Sequence, residues 1–194
     1  MKRYLLIASH LGANSQNLCA ALDRTDSIQW IRNGFVFTHP SDLNSFFSGI
    51  NHKFSNSLGV FTTELLYNYQ LTHKGVCEFC NFIYLIREPK TAVRIANPNF
   101  ATVAVNYYIF RLRRIYEMAR ETKGAIFLTW DDLVNKNGFS FILEKLKLDD
   151  PLRFREVPNE KSLLSPPSAL LKEANLAYDL CLFRLRKLKN LNQI

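Results

Sequence analysis

Glycine and proline are scarce in this sequence, with 7 of each among 194 residues. Collagen-like and low-complexity chains contain far more of both, so the composition predicts a folded globular protein. Long apolar runs are also missing, because no stretch approaches the about 18 apolar residues of a transmembrane helix. We therefore expect a single folded domain over residues 1–194 and no membrane span.

Cysteine is used sparingly, and the four cysteines are too few for a disulfide scaffold. Cys77 and Cys80 form a C-x-x-C pair, but a zinc site needs four ligands and only His73 lies near them in the sequence. We favour buried thiols beside a strand and no metal site. The alternative is an isolated metal-binding or redox pair.

Positive charges outnumber negative ones, with 25 Lys and Arg against 17 Asp and Glu and a net charge of +8. A basic balance favours anionic partners, which include nucleotides, phosphorylated or sulfated ligands, nucleic acids and membrane surfaces. No known nucleic-acid-binding motif accompanies the charge, so a nucleic-acid partner is not favoured. The apolar run Tyr4–Ala8 after Lys2-Arg3 is shorter than the about 7–15 residues of a secretory signal, so we expect a cytoplasmic protein.

The first 25 residues predict a strand, a loop and a helix in that order. Tyr4–Ala8 is an apolar strand, Ser9–Ser15 is a turn of small and polar residues, and Gln16–Leu22 has helical apolar spacing. In this arrangement the loop N–H groups and the positive end of the helix dipole converge on one point, which favours an anion. Asn14 or Ser15 could cap the helix. An ordinary turn between strand and helix is the alternative, and the motif G-x-x-x-x-G-K-[ST] of nucleotide triphosphatases is absent.

Further buried strands are predicted at Phe79–Ile86 and Ala125–Leu128, and helices alternate with the strands. The predicted helices are Thr91–Ala96, Phe100–Thr122, Phe139–Leu148 and Ser168–Lys189. This alternation predicts an α/β fold, a three-layer parallel sheet with helices on both faces. Because ligands bind at the carboxyl ends of such strands, the Ser9–Ser15 loop, Arg87 and Thr129–Asp132 should share one rim.

Other segments carry weaker signals. Short strands are expected at Ser27–Ile31 and Phe35–Phe37, a helix from Ser41 or Asp42, a loop at Asn51–Leu58 and a helix at Thr63–Thr72. In the long helix, the residues expected to face the core are Val103, Tyr107, Phe110, Ile115 and Met118, and those expected in solvent are Arg111, Arg113, Arg114 and Arg120. In the last helix, the apolar positions are Leu171, Leu176, Leu180 and Phe183.

Three of these segments, Tyr4–Leu22, Ile83–Val93 and Phe127–Leu133, together resemble the sulfotransferase family. That family uses the sulfate donor PAPS (3′-phosphoadenosine 5′-phosphosulfate) on a P-loop-like fold. The resemblance implies that Gly12, Ala13, Asn14 and Ser15 bind the phosphosulfate group. It also implies that Arg87, in the Arg-x-Pro segment, binds the 3′-phosphate.

Two positions depart from the family pattern. The family has a Lys or Arg two residues before its loop glycine, where this chain has His10, which could replace that cation only when protonated. If the loop is aligned two residues later, Gly12 takes that place and no cation is present. The family also has a Ser eight residues after its Arg, where this chain has Ile95; Arg94 or Asn97 could substitute.

We expect a PAPS-dependent sulfotransferase that acts on a hydroxyl or amine of an unidentified acceptor. His10 would assist the transfer, and Glu64 or His39 would accept the proton of the acceptor. The alternative is a catalytically inactive relative that binds a nucleotide or a partner protein, as the two departures suggest.

Overall fold

A computed structural model describes eight parts of the chain: residues 4–10, 12–25, 27–31, 58–62, 80–94, 98–135, 138–148 and 164–191. The predicted segments 35–37, 41–47, 51–57 and 63–72 lie outside them.

Strands and helices alternate along the described residues. The strands are β1 (Tyr4–Ser9), β2 (Ile28–Trp30), β3 (Leu58–Thr62), β4 (Cys80–Ile86) and β5 (Ile126–Thr129). The helices are α1 (Ser15–Leu22), α2 (Pro89–Ala92), α3 (Ala101–Glu121), α4 (Trp130–Asn135), α5 (Gly138–Leu146) and α6 (Ser168–Leu191), and a short 3₁₀ turn, Pro98–Phe100, precedes α3.

The described strands form one parallel sheet in the order β2-β3-β1-β4-β5. β1 lies at its centre, with Leu6 opposite Phe82 of β4. The strands read as nearly continuous apolar runs because a parallel sheet is covered on both faces. The prediction of an α/β domain with a parallel sheet is therefore confirmed.

Successive residues of β1 face opposite sides of the sheet, as the period of a strand requires. Leu5 and Ile7 pack in a core with residues of α1, α4 and α5. Leu6 and Ala8 pack in a second core with residues of α3 and α6. The helix after β1 and the long helix after β4 therefore lie on opposite faces of the sheet.

The predicted inner side of α3 is wrong in part. Ile115 and Met118 are buried as expected, but Val103, Tyr107 and Phe110 are 64%, 40% and 49% exposed. The buried line is instead Ala101, Val105, Tyr108, Leu112, Ile115 and Ala119. Both lines have helical spacing, and the one with small alanines at its ends is the one that packs on the sheet.

The apolar positions noted in the last helix are mostly not the ones that α6 buries. Leu176, Leu180 and Phe183 are exposed, whereas Ala174, Cys181 and Leu185 are buried. Small residues at 174 and 181 allow α6 to lie close to α3, and the Cys181 thiol contacts the Leu112 carbonyl oxygen at 3.5 Å.

β3 lies where the sequence predicts the end of a loop at Leu58 and the start of a helix at Thr63, so this strand is not predicted. The strand is only five residues long and contains a glycine, Gly59, a residue type depleted in strands. Its place between β1 and β2 brings its last residue, Thr62, to the same edge as the end of β1.

None of the described helices is long and apolar enough to cross a membrane.

Candidate functional site

The carboxyl ends of β1 and β4 meet at the centre of the sheet. The connections that leave these two strands go to opposite faces, because α1 packs on one core and α3 on the other. In open α/β sheets this arrangement leaves a crevice between the two strand ends, and ligands bind there. The Ser9–Ser15 loop starts at the end of β1, and Arg87 directly follows the end of β4.

His10 and Arg87 are joined directly. The backbone N–H of Arg87 donates a hydrogen bond to Nε2 of His10 over 2.9 Å, and His10 is fully buried. A ring nitrogen that accepts a hydrogen bond carries no proton, so His10 is neutral in this arrangement and its proton is on Nδ1. His10 therefore does not supply the positive charge that the resemblance to the sulfotransferases predicts at this position.

Tyr108 of α3 contacts both His10 and Arg87. Its hydroxyl donates to the Arg87 carbonyl oxygen over 2.6 Å, and its ring meets the His10 ring edge-on at 4.7 Å between centroids. Burial, followed by the neighbouring charges, raises the pKa of Tyr108 far above its usual value, so the phenol remains a donor. The backbone of Arg87 is thereby held from both sides.

Gly12 allows the loop to lie against α2. Its φ of +81° is in the left-handed region, and a Cβ at this position would lie 2.1 Å from the Ala92 carbonyl oxygen. Only glycine combines this backbone conformation with such a close approach. The loop after β1 and the segment after β4 are therefore in contact.

The start of α1 has one of the two predicted residues at its N-cap, but without a side-chain cap. Asn14 occupies the N-cap position with a left-handed φ of 57°, and its side chain makes no capping hydrogen bond. Ser15 is buried, and its hydroxyl shares a hydrogen bond of 2.5 Å with the Thr62 hydroxyl. Ser15 thus ties the start of α1 to the end of β3 instead of capping the helix.

The Arg87 side chain lies at the rim, half-buried. Its Nε donates to the Thr91 hydroxyl over 3.1 Å, and its guanidinium carbon lies 4.9 Å from the centroid of the Trp130 ring. Trp130 directly follows β5, so the guanidinium is positioned by elements that follow two neighbouring strands. A positioned, planar guanidinium suits bidentate binding of a phosphate.

Thr129 and Asp132 form a capping box at the start of α4. The Thr129 backbone N–H and hydroxyl donate to Asp132 Oδ2 over 3.0 Å and 2.8 Å, and the Asp132 N–H donates to Thr129 Oγ1. This pattern satisfies backbone donors at the helix start. Asp132, in the third segment that resembles the sulfotransferases (Phe127–Leu133), thus has a structural role as part of a helix cap.

Sequence reasoning missed Arg111. It was expected in solvent with its neighbours, but only 3% of it is exposed, and its Nη2 donates to the Ser9 carbonyl oxygen over 2.8 Å. The positions 108, 111 and 115 follow the 3–4 spacing of the buried side of α3, and this spacing is the signal that could have found it. Arg113 and Arg120 are exposed, as predicted.

The other residues singled out in the sequence are Arg94, Ile95, Glu64 and His39. The exposed Arg94 donates from Nη1 to the Ser165 hydroxyl over 2.8 Å. Glu64, His39 and Ile95 lie outside the described residues. The structure therefore brings together His10, Gly12–Ser15 and Arg87.

A cavity of about 330 Å³ opens at the far edge of β5. Its walls are mostly apolar, with Phe127, Phe141 and Leu182 among them, and its polar groups are Thr129, Asp132 and Arg186. It also reaches Ile86, the residue before Arg87, but the loop after β1 does not line it. The cavity therefore lies beside β5 and not at the loop after β1.

The described residues contain no cluster of His, Cys, Asp and Glu suited to a metal ion. Cys80 is a buried cysteine at the start of β4, while Cys77 and His73 lie outside the described parts.

Comparison with known sequences finds no relative of this chain. No family model and no curated protein matches the chain.

Proposed function

We propose that this chain is a divergent sulfotransferase that binds PAPS at the crevice between β1 and β4, in a three-layer P-loop-like domain. The sulfuryl group would pass to a hydroxyl or amine of an acceptor whose identity is open. One observation carries the proposal. The two segments that the resemblance assigns to the phosphosulfate and to the 3′-phosphate touch each other, through His10 with Arg87 and through Gly12 with Ala92.

The chemistry of the site fits an anionic nucleotide. The loop and the N-terminus of α1 offer backbone N–H groups and the positive end of a helix dipole. Arg87 offers a guanidinium held at the rim by Thr91 and Trp130. PAPS, when bound, would supply an activated sulfuryl group. Gly12–Ser15 would hold its phosphosulfate and Arg87 its 3′-phosphate.

The contribution of the chain would be positioning and charge stabilisation. In-line transfer needs the reacting groups held in one geometry, and fixed donors stabilise the charge that develops. The His10–Arg87–Tyr108 group supports this role, because it fixes the backbone at the end of β4. A base for the acceptor proton is also required, and Glu64 and His39 remain the candidates from the sequence.

The state of His10 favours a second candidate function, nucleotide or partner binding without transfer. Its buried Nε2 accepts a hydrogen bond, so no positive charge sits where the family has Lys or Arg. That cation stabilises the bridging oxygen during transfer. Its absence leaves nucleotide binding possible and weakens catalysis.

Calorimetric titration with PAP, the product nucleotide, tests the donor site. We expect PAP to bind in preference to ATP and adenosine 5′-phosphosulfate. Arg87→Ala should weaken PAP binding about ten- to a hundredfold, since hydrogen bonds to charged groups are worth about 1.5–3 kcal/mol. Arg113→Ala, which removes an exposed arginine of α3, is the matched control and should bind PAP normally.

Turnover separates the two candidates. Radiolabelled PAPS with a panel of hydroxyl and amine acceptors would yield a sulfated product from an enzyme. PAP binding without any product supports the second candidate. A chain that binds PAP no better than ATP would contradict the sulfotransferase proposal, and a chain that binds neither nucleotide would also contradict nucleotide binding without transfer.

A further inference from the structure

Helix α6 carries a line of exposed apolar side chains on the side that faces away from the core. Leu176, Leu180 and Phe183 are 72%, 46% and 55% exposed, and they follow one another at spacings of four and three residues. Residues three and four apart are neighbours on the surface of a helix, so these side chains form one continuous line. The opposite side of α6 already packs in the core with α3. A contiguous apolar surface of this kind marks a contact with a partner.

Opposite charges continue this line at its two ends. Glu173 lies three residues before Leu176, Lys187 lies four residues after Phe183, and both charged side chains are exposed. The Lys187 Nζ lies 4.5 Å from the centroid of the Phe183 ring, so it is on the same side of the helix. We call the five residues from Glu173 to Lys187 on this line the α6 strip. It extends along about 21 Å of helix and has an acid at its start and a base at its end.

The α6 strip is complementary to itself when two copies run antiparallel. A twofold axis at Leu180 would bring Leu176 of each copy beside Phe183 of the other. The same axis would bring Glu173 of each copy beside Lys187 of the other, which gives two ion pairs. A twofold interface uses the same surface on both copies and requires this self-complementarity. A parallel pair would instead bring like charges together at both ends, which is unfavourable.

The exposed apolar line of α3 lacks this property. Val103, Tyr107 and Phe110 have the same spacing as the apolar residues of α6. The next position on this line is Arg114, which forms an ion pair with Glu117 of its own helix. The position before Val103 on the line is the apolar Phe100, so no acid is available there for Arg114 of a second copy. Self-complementary charge therefore distinguishes the α6 strip from the other exposed apolar line.

We propose that the protein forms a twofold homodimer through the α6 strip, with the two α6 helices antiparallel. The partner is a second copy of this chain, held by apolar contacts at the centre and by Glu173–Lys187 ion pairs at both ends. One helix from each copy makes a small interface, so the dimer is reversible. The inference is independent of the proposed function, because no residue of the strip belongs to the crevice between β1 and β4.

Charge reversal tests the antiparallel pairing. Sedimentation of the full chain over a range of concentrations gives the dissociation constant of the dimer, and thermal melting reports whether each variant is folded. Glu173→Lys and Lys187→Glu each replace both attractive pairs with repulsive ones. We expect either change alone to raise the dissociation constant about tenfold. The double variant restores opposite charges at both ends and should return the dissociation constant to near its original value.

The apolar centre of the strip is tested with Leu180→Asp, which places two carboxylates at the twofold axis. We expect the dissociation constant to rise about a hundredfold or more, because each carboxylate loses water and faces the other. Val103→Asp is the matched control, since it introduces the same charge at an apolar residue of α3 that is 64% exposed. It should leave the dissociation constant unchanged.

Several results would overturn the dimer. One is a chain that stays monomeric at the highest soluble concentration, and others are a dimer that survives Leu180→Asp or is lost in Val103→Asp. A double charge variant that dimerises as weakly as the single ones overturns the antiparallel pairing. A monomer that binds vesicles of phosphatidylcholine and phosphatidylserine, and loses this binding in Leu180→Asp, shows that the strip contacts a membrane surface instead of a second copy.

Discussion

The backbone N–H of Arg87 donates a hydrogen bond of 2.9 Å to Nε2 of His10, across the boundary between β1 and β4. The two residues are 77 positions apart in the sequence and become neighbours because their strands are adjacent in the sheet. The bond fixes the protonation of His10 and the backbone position of Arg87 together. His10, which the sequence suggests as a replacement for the family's Lys or Arg, is thus a neutral acceptor for the Arg87 N–H.

His10 variants should therefore divide according to whether they keep an acceptor. His10→Gln places an amide oxygen near the position of Nε2, whereas His10→Phe fills the space and leaves the Arg87 N–H without its acceptor. We expect His10→Phe to be less stable than His10→Gln by about 1–3 kcal/mol, measured by urea unfolding.

Nitrogen NMR of the His10 ring gives an independent check of its tautomer. At neutral pH the proton should be on Nδ1 and Nε2 should be unprotonated. A proton on Nε2, or equal stability of His10→Phe and His10→Gln, would contradict the role assigned to this ring.

Gly12 and Gly124 form a matched pair for testing the loop contact. Both have positive φ, +81° and +70°, but only at Gly12 would a Cβ meet another segment, whereas at Gly124 nothing lies within 4 Å. Gly124→Ala should cost about 1–2 kcal/mol from backbone strain. Gly12→Ala should cost about 1–3 kcal/mol more because the loop must also move from Ala92.

The two glycine variants also differ in their expected effect on binding. Chemical unfolding and PAP titration of both variants provide the measurement. Gly12→Ala should lose PAP affinity, while Gly124→Ala should keep it. Similar losses of stability in the two variants would mean that the contact between the loop and α2 is not as close as described.

Three of the strands could be predicted from the sequence, but the sides of the helices that face the core could not. The apolar runs that contain Leu6, Ile83 and Leu128 belong to strands that are covered on both faces of the sheet. Each run therefore indicates a strand without reference to the rest of the chain. α3 instead has two apolar lines, one through Tyr107 and one through Tyr108, and helical spacing alone does not choose between them. Arg111 was placed in solvent for the same reason.

The site was predictable only in part. Gly12 and Arg87 come together because each follows a strand, and parallel strands end at one edge. The role of His10 depends on a backbone group from β4, and the role of Ser15 depends on Thr62 of a strand that was missed. Contacts between segments distant in sequence leave no local pattern to detect.

The capping box at the start of α4 predicts different effects for two adjacent aspartates. Asp132→Ala removes the acceptor of the Thr129 N–H and hydroxyl, so it should destabilise the protein by about 1 kcal/mol. Asp131 is exposed and accepts a hydrogen bond from the Asn135 side chain, so Asp131→Ala should have a much smaller effect. Thermal and urea unfolding of the two variants test this, and equal losses would count against the capping role.

Stability should fall in alkaline solution because of Cys181 and Tyr108. Burial raises the pKa of the Cys181 thiol from 9.0 to about 12 and raises that of Tyr108 well above 10.0. Since both pKa values are higher in the folded chain, their contribution to stability is complete below about pH 9. It is lost as the pH rises, because the unfolded chain releases protons that the folded chain keeps.

The free energy of unfolding should thus decline above about pH 9, by up to about 1.4 kcal/mol per pH unit for each group that is ionised only in the unfolded chain. Cys181→Ala removes one such group. Its curve of stability against pH should be flatter than that of the unaltered chain between about pH 9 and 12. Urea unfolding at pH 7 is the internal control, because neither group ionises there and the difference between the two proteins is then one of packing alone. Parallel curves for the two proteins across the alkaline range would mean that Cys181 ionises equally readily in the folded and unfolded chain, contrary to its burial against Leu112.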